Sequence, residues 1–201
     1  MSPKIKTWLA NNYLAILIII FAIAGFYASF TLSVEKLEIL KDAGKSLNCD
    51  INSVFSCGIV MRNSASEING IPWSYVGVAG YPAVMLLGLV LIERQKISRW
   101  LAGLVTVGAF GAFALSTYFM WLTAYVIGAF CPWCITSAVS STCIFFLILS
   151  HNFMYNNYEL EEETAAKIQK KLRQGWGYVI TIAWFLIMLA VEWYPFYMNS
   201  L

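Results

Sequence analysis

Cys131-Pro132-Trp133-Cys134 lies inside a long apolar stretch, and Cys49 and Cys57 lie upstream in one of the chain's few polar segments. A Cys-x-x-Cys pair is a redox centre able to close into a disulfide. Pro132 suits the first turn of a helix, where its missing N–H would have no partner anyway. Cys131 then falls near the N-cap and Cys134 one turn in, on the same face. Backbone N–H groups and the positive helix end stabilise a thiolate there. A thiolate attacks disulfides and electrophilic rings alike. Trp133 offers a flat apolar face between the two sulfurs. Cys49 and Cys57 are separated by seven residues, a segment that closes a disulfide at modest entropic cost. That disulfide has two readings, a static pin for its loop or a shuttle between the membrane pair and soluble thiols. In the shuttle, Cys57 in its apolar run makes the inner contact. Cys49, flanked by Asn48 and Asp50, makes the outer one. Cys143 reads as a packing residue, and His151 as an interfacial one.

The elements that must hold these residues are membrane helices. The chain has 201 residues, 60% hydrophobic and 12% charged, with mean hydropathy +0.68, which is too little charged surface for a soluble domain. A net charge of +2 without a basic cluster gives no nucleic-acid footprint. One His and five Cys are poor supply for a Cys/His metal site, so no metal is expected. The first apolar segment is too long for a signal-peptide core and has no small-residue cleavage site, so it is expected to stay as a span.

Charge-free runs mark the spans. None of Lys, Arg, Asp or Glu occurs between Lys6 and Glu35, Glu67 and Glu93, Arg99 and Glu159, or Gln174 and Val191. With about 20 residues per crossing, they predict helices at about 8–32, 72–92, 100–122, 132–149 and 178–194. Nine of the Lys and Arg residues fall on one side (Lys4, Lys6, Arg94, Lys96, Arg99, Lys167, Lys170, Lys171 and Arg173). Lys36, Lys41, Lys45 and Arg62 fall on the other. The positive-inside rule places the amino terminus in the cytoplasm and both cysteine pairs outside, where disulfides persist. Ile51, Val54, Phe55, Ile59 and Val60 recur at roughly helical spacing, which predicts a short amphipathic helix at the membrane surface. Glu159 to Arg173, acids first and bases last, predicts a cytoplasmic helix. The expected organisation is a single transmembrane unit over 1–201. It has a core at about 8–150, an outer redox loop at 33–71, a connector at 151–177 and a fifth helix at 178–194.

The strings Asn48-Cys49-Asp50-Ile51-Asn52, Phe55-Ser56-Cys57 and Gly70-Ile71-Pro72-Trp73-Ser74-Tyr75-Val76-Gly77, followed by Cys131 to Cys134, resemble the vitamin K epoxide reductase family over about residues 8–150. The DsbB oxidases place their Cys-x-x-Cys pair before the loop pair, the opposite order. The resemblance implies an all-α integral membrane fold, a four-helix bundle around a quinone with a fifth helix added. It implies that Cys134 contacts the quinone, that Cys131 is its disulfide partner and exchanges with Cys57, and that Cys49 meets a thioredoxin-like protein. It implies a quinone of ubiquinone, menaquinone or vitamin K type. The usual direction in bacterial and archaeal relatives is oxidative, from partner thiols to quinone. Many relatives carry a fused thioredoxin-like domain that is not seen here. The expected partner is therefore a separate thioredoxin-like or DsbA-like extracytoplasmic protein, beside a bacterial or archaeal plasma membrane.

Trp73, Ser74, Tyr81, Trp133, Ser137 and Ala138 are the expected quinone-pocket residues, with ordinary packing or capping as the alternative for each. The vertebrate enzymes have a quinone-binding Asn where Trp73 stands and a Tyr where Ala138 stands, which leaves quinone selectivity open. A hydroxyl residue often found six positions after the second loop cysteine is Asn63 here, with Ser64 next. Three other readings share the residues. They are reductive chemistry on vitamin K epoxide or a quinone, a metal transporter passing soft ions between cysteine pairs, and a structural membrane protein with inert cysteines.

Overall fold

The computed structural model describes residues 3–42, 47, 49–52, 54–68 and 70–198. Lys45 and Asn48 lie outside the described residues. Seven α-helices are described: α1 (Pro3–Lys41), α2 (Cys57–Arg62), α3 (Trp73–Glu93), α4 (Arg99–Leu122), α5 (Pro132–Met154), α6 (Glu162–Arg173) and α7 (Trp176–Met198). A two-residue antiparallel ladder, β1 (Glu67–Ile68) with β2 (Ile71–Pro72), joins the loop after α1 to α3. Four helices are long and apolar enough to cross a membrane, and five do so if α6 and α7, bent by 64° at their junction, count as one span. The chain is thus a multi-pass helical membrane protein, with side chains such as Ile20, Phe30, Leu86, Val107 and Leu186 facing outward.

α1 is the axis, packed along α3 and α5, while α4 packs on α5. Buried Ala15, Ile18 and Ala22 of α1 meet Leu91, Ala109, Ile144 and Ile148. Glycines permit close approaches between α1 and α3. A Cβ on Gly88 would fall 2.5 Å from Ile19 Cγ1, and one on Gly25 would overlap the Tyr81 ring. α3 and α4 make little contact; they face each other across a cavity.

The helix ends differ from the sequence expectations in ways that matter. α1 does not stop at Leu32 but continues to Lys41. At 1.5 Å per residue it is about 58 Å long, well beyond an apolar core of about 30 Å. Its last turns carry Glu35 and Lys36 past the apolar run as a post beside the cysteine loop. α4 runs on through a π-turn at Thr123–Ile127 and ends at Gly128, whose φ of 72° requires the left-handed region. The amphipathic periodicity around Cys57 yields helix only over Cys57–Arg62. Asn52 Oδ1 accepts the N–H groups of Val54 and Phe55 at 2.9 and 2.8 Å, and that Asx turn holds Val54, Phe55 and Ser56 out of helix. α6 has the expected charge order, Glu162 and Glu163 first, Lys170, Lys171 and Arg173 last. His151, expected at the interface, is 2% exposed and packs at a tilt against Tyr155, with ring centroids 4.6 Å apart.

Candidate redox site

The cysteine-bearing loop between α1 and α3 is organised by Asp50. Its Oδ1 accepts Ser56 Oγ–H at 2.6 Å and Gly58 N–H at 2.8 Å, and its Oδ2 accepts Leu47 N–H at 3.0 Å. Burial alone disfavours its charge, but those three bonds and the Arg62 charge outweigh it and hold the carboxyl below the usual carboxylate range. Ser56 also caps α2 by accepting Ile59 N–H at 3.2 Å. Cys57, the first residue of α2, is thereby fixed in place. Cys49 and Cys57 are joined by a disulfide.

The loop is stitched to the segment before α5. Ser56 N–H donates to Phe130 O at 2.9 Å and Phe130 N–H to Val54 O at 2.6 Å. That parallel bridge sets Cys131 directly beneath Cys57. Cys131 Sγ lies 3.1 Å from Cys57 Sγ, and both residues are buried, at 1% and 0% exposure. Cys131 is the N-cap of α5, Pro132 occupies its first turn, and Cys131 Sγ accepts Cys134 N–H at 3.4 Å. Cys131 and Cys134 are free thiols. Three of the four cysteines thus form a continuous line of sulfur, and Cys134 faces the other way, into the cavity.

That cavity, about 620 Å³, lies among α1, α3, α4 and α5 and is walled mostly by apolar side chains. The volume is in the range of small-molecule sites. Trp73, Ser74, Tyr81, Ser137 and Ala138 line it, but Trp133 does not. Trp133 is turned about 100° around α5 from Cys134 and packs edge-on against Tyr27 at 5.6 Å. Trp73 spends its N–H on Ala65 O at 3.1 Å, leaving its ring to the cavity. Ser74 Oγ accepts Ser33 Oγ–H at 2.9 Å. The Tyr81 hydroxyl lies 2.9 Å from Ser137 O, Ser137 Oγ and Ser141 Oγ, a polar cluster in an otherwise apolar wall. The walls are therefore apolar, with the Cys134 thiol and the Tyr81, Ser137 and Ser141 hydroxyls as polar groups among them.

Several contributors carried no sequence signal. Ser141 shares the Tyr81 hydroxyl from one turn below Ser137. Lys36 Nζ donates to Met61 O at 2.5 Å and pairs with Glu67 at 2.6 Å, tying α1 to the loop. Glu35 Oε2 lies 3.2 Å from Cys49 Sγ. A Glu35 oxygen and the Cys49 and Cys57 sulfurs all fall within 4.8 Å of one another. In the disulfide these sulfurs are not thiolates, the form that binds metals. Cys49, expected to be reachable, is only 6% exposed, because it packs with Leu32, Ile39 and Met61. Cys143 is half-buried and lies apart from the sulfur line.

A search of curated proteins finds no match. Residues 16–149, two thirds of the chain and all four clustered cysteines, match the Vitamin K epoxide reductase family. The chain therefore belongs to that family, and so to the membrane oxidoreductases that work through cysteines and are associated with quinones.

Proposed function

We propose that the protein is a membrane thiol–disulfide oxidase, working as one unit over residues 1–201. It takes electron pairs from a thioredoxin-like partner outside a bacterial or archaeal plasma membrane and delivers them to a quinone. The observation that carries this reading is the 3.1 Å approach of Cys131 Sγ to Cys57 Sγ. It links a loop disulfide to a thiol pair that opens on an apolar cavity.

The partner's dithiol reduces Cys49–Cys57, entering at Cys49. Since Cys49 is buried, partner docking has to displace part of the loop. Cys57 thiolate then attacks Cys131 of a Cys131–Cys134 disulfide. The Cys57–Cys131 bond forms, the Cys131–Cys134 bond breaks, and Cys134 keeps the electron pair. Cys49 next attacks Cys57, the loop disulfide closes, and Cys131 leaves as a thiolate that accepts the Cys134 N–H. The described arrangement, loop oxidised and Cys131 free, matches the end of that step. The quinone, when bound, supplies a two-electron acceptor. Trp73 and Ala138 would position its ring, and Tyr81 with Ser137 would hold a proton near its oxygens.

The test is quinone reduction by purified protein in detergent, driven by a reduced thioredoxin-like protein, with ubiquinone and menaquinone compared. Turnover in wild type and none in Cys134→Ser is expected. Equal rates in both, or none in folded wild type, would overturn the reading. In the Cys49→Ala/Cys134→Ser double variant the Cys57–Cys131 mixed disulfide should persist, since neither resolving thiol remains.

A further inference from the structure

Glu35 has no part in the relay as written. It sits on the α1 post, 8% exposed, with Oε2 3.2 Å from Cys49 Sγ. A disulfide sulfur has no proton to give, so a hydrogen bond at this contact must be donated by the carboxyl. A charged carboxylate would gain little from an uncharged sulfur and would lose its water. The adjacent cation, Lys36, is committed to Glu67 and Met61 O. Among the described residues, the other charges that act on Glu35 are Glu38 on its own helix and Asp50 in the loop, and Glu35 in turn acts on Cys134. All of these, when ionised, add negative charge and favour a protonated Glu35. The contact therefore suits a carboxylic acid resting on the sulfur of a closed disulfide.

We propose that Glu35 is the proton acceptor and donor for Cys49, a catalytic residue of the loop-closing step; this rests on the relay proposed above. As Cys49 attacks Cys57, its S–H proton passes to the Glu35 carboxylate. The Cys49–Cys57 bond forms and the Cys57–Cys131 bond breaks. The electron pair of that bond goes to Cys131. When the partner next opens the loop disulfide at Cys49 and its second thiol then resolves the mixed disulfide, Cys49 leaves and Glu35 returns the proton. No outside oxidant or reductant is needed beyond the partner thiols and the quinone. The need is physical: Cys49 is shut off from water, so bulk base does not reach it easily.

The size of the effect follows from thiol chemistry. An ordinary thiol with pKa near 8.5 is about 3% ionised at pH 7, so full activation is worth up to about 30-fold. Full-length wild type, Glu35→Gln and Glu35→Asp would be assayed for dithiol-driven ubiquinone reduction across pH 6 to 8, with mixed disulfides quenched and mapped by mass spectrometry. Wild type should vary little with pH. Glu35→Gln should be about 10- to 30-fold slower at pH 7 and rise steeply, up to about tenfold per pH unit, as bulk ionisation takes over. It should also accumulate the Cys57–Cys131 mixed disulfide, a signature that simple loosening of the loop would not produce. Glu35→Asp, one methylene shorter, should regain the flat profile at a reduced rate. A wild-type rate and profile in Glu35→Gln, without mixed disulfide, would overturn the proposal while leaving the relay intact. Should Glu35→Gln fail to fold, an unaltered rate in Glu35→Asp would overturn it. Absence of turnover in wild type would strike the relay itself.

Discussion

The two ends of the bundle are both tied together by buried polar groups, but with different chemistry. At the end that carries the cysteine loop the ties are charged or sulfur-based: Asp50 holding the loop, Lys36 bridging to Met61 and Glu67, and Cys57 against Cys131. At the opposite end they are neutral. Asn152 Nδ2 donates to Thr106 Oγ1 at 3.0 Å, Asn157 Nδ2 donates to Asn152 Oδ1 at 3.0 Å, and Thr106 meets the Tyr158 hydroxyl at 2.6 Å. Neutral amides and hydroxyls lock a junction in one arrangement. Sulfur bonds can be exchanged without dismantling the backbone around them. The contrast assigns stability to one end and turnover to the other.

Substitutions at the two ends should separate these roles. Cys131→Ser or Cys134→Ser should lower quinone reduction by about 10³-fold or more, as loss of a nucleophile does, with the melting transition nearly unchanged. Asn152→Ala should do the reverse, costing about 2–3 kcal/mol of stability by stranding buried partners, with the redox rate at low temperature kept. A large rate loss in the second variant would break the contrast.

Asp50→Ala should cost about 1–2 kcal/mol, read as faster amide exchange over residues 47–62. Because the Asp50 carboxyl is held below its ordinary value of 3.8, its contribution is complete above that pH. It is lost as pH falls through the lowered value of the folded state. The wild-type loop should therefore loosen in acid below about pH 4, and Asp50→Asn should show a flatter dependence there. The smallest effect is expected at Tyr81→Phe, a rise of a few-fold in the KM for quinone at nearly constant kcat, since Ser137 and Ser141 remain.

Membrane class, helix count and family were legible because each is written locally, in charge-free runs and in four cysteines whose order and spacing lie along the chain. What brings the sulfurs together is not local. Cys131 meets Cys57 through a two-strand stitch between Phe130 and residues 54–56, and nothing in either segment announces the other. Glu35 was invisible for a similar reason. Its approach to Cys49 depends on α1 continuing straight past the apolar run, and the charges at 35 and 36 read as the end of a span. Trp133 shows the limit of adjacency. A residue between two reactive cysteines on a helix is rotated away from the face that Cys134 presents. The periodicity around Cys57 likewise misled at Val54 and Phe55, where one Asn side chain captured both backbone N–H groups.

The meagre contact between α3 and α4 has a kinetic consequence. Gly80, Gly108 and Gly111 stand at that seam, and a Cβ added to any of them would meet nothing within 4 Å. A hydrophobic acceptor dissolved in the bilayer would enter sideways from the lipid. Its mole fraction in the membrane, not its aqueous concentration, would then set the occupancy. At fixed protein and fixed acceptor, adding inert lipid should slow turnover by surface dilution, while adding buffer should not.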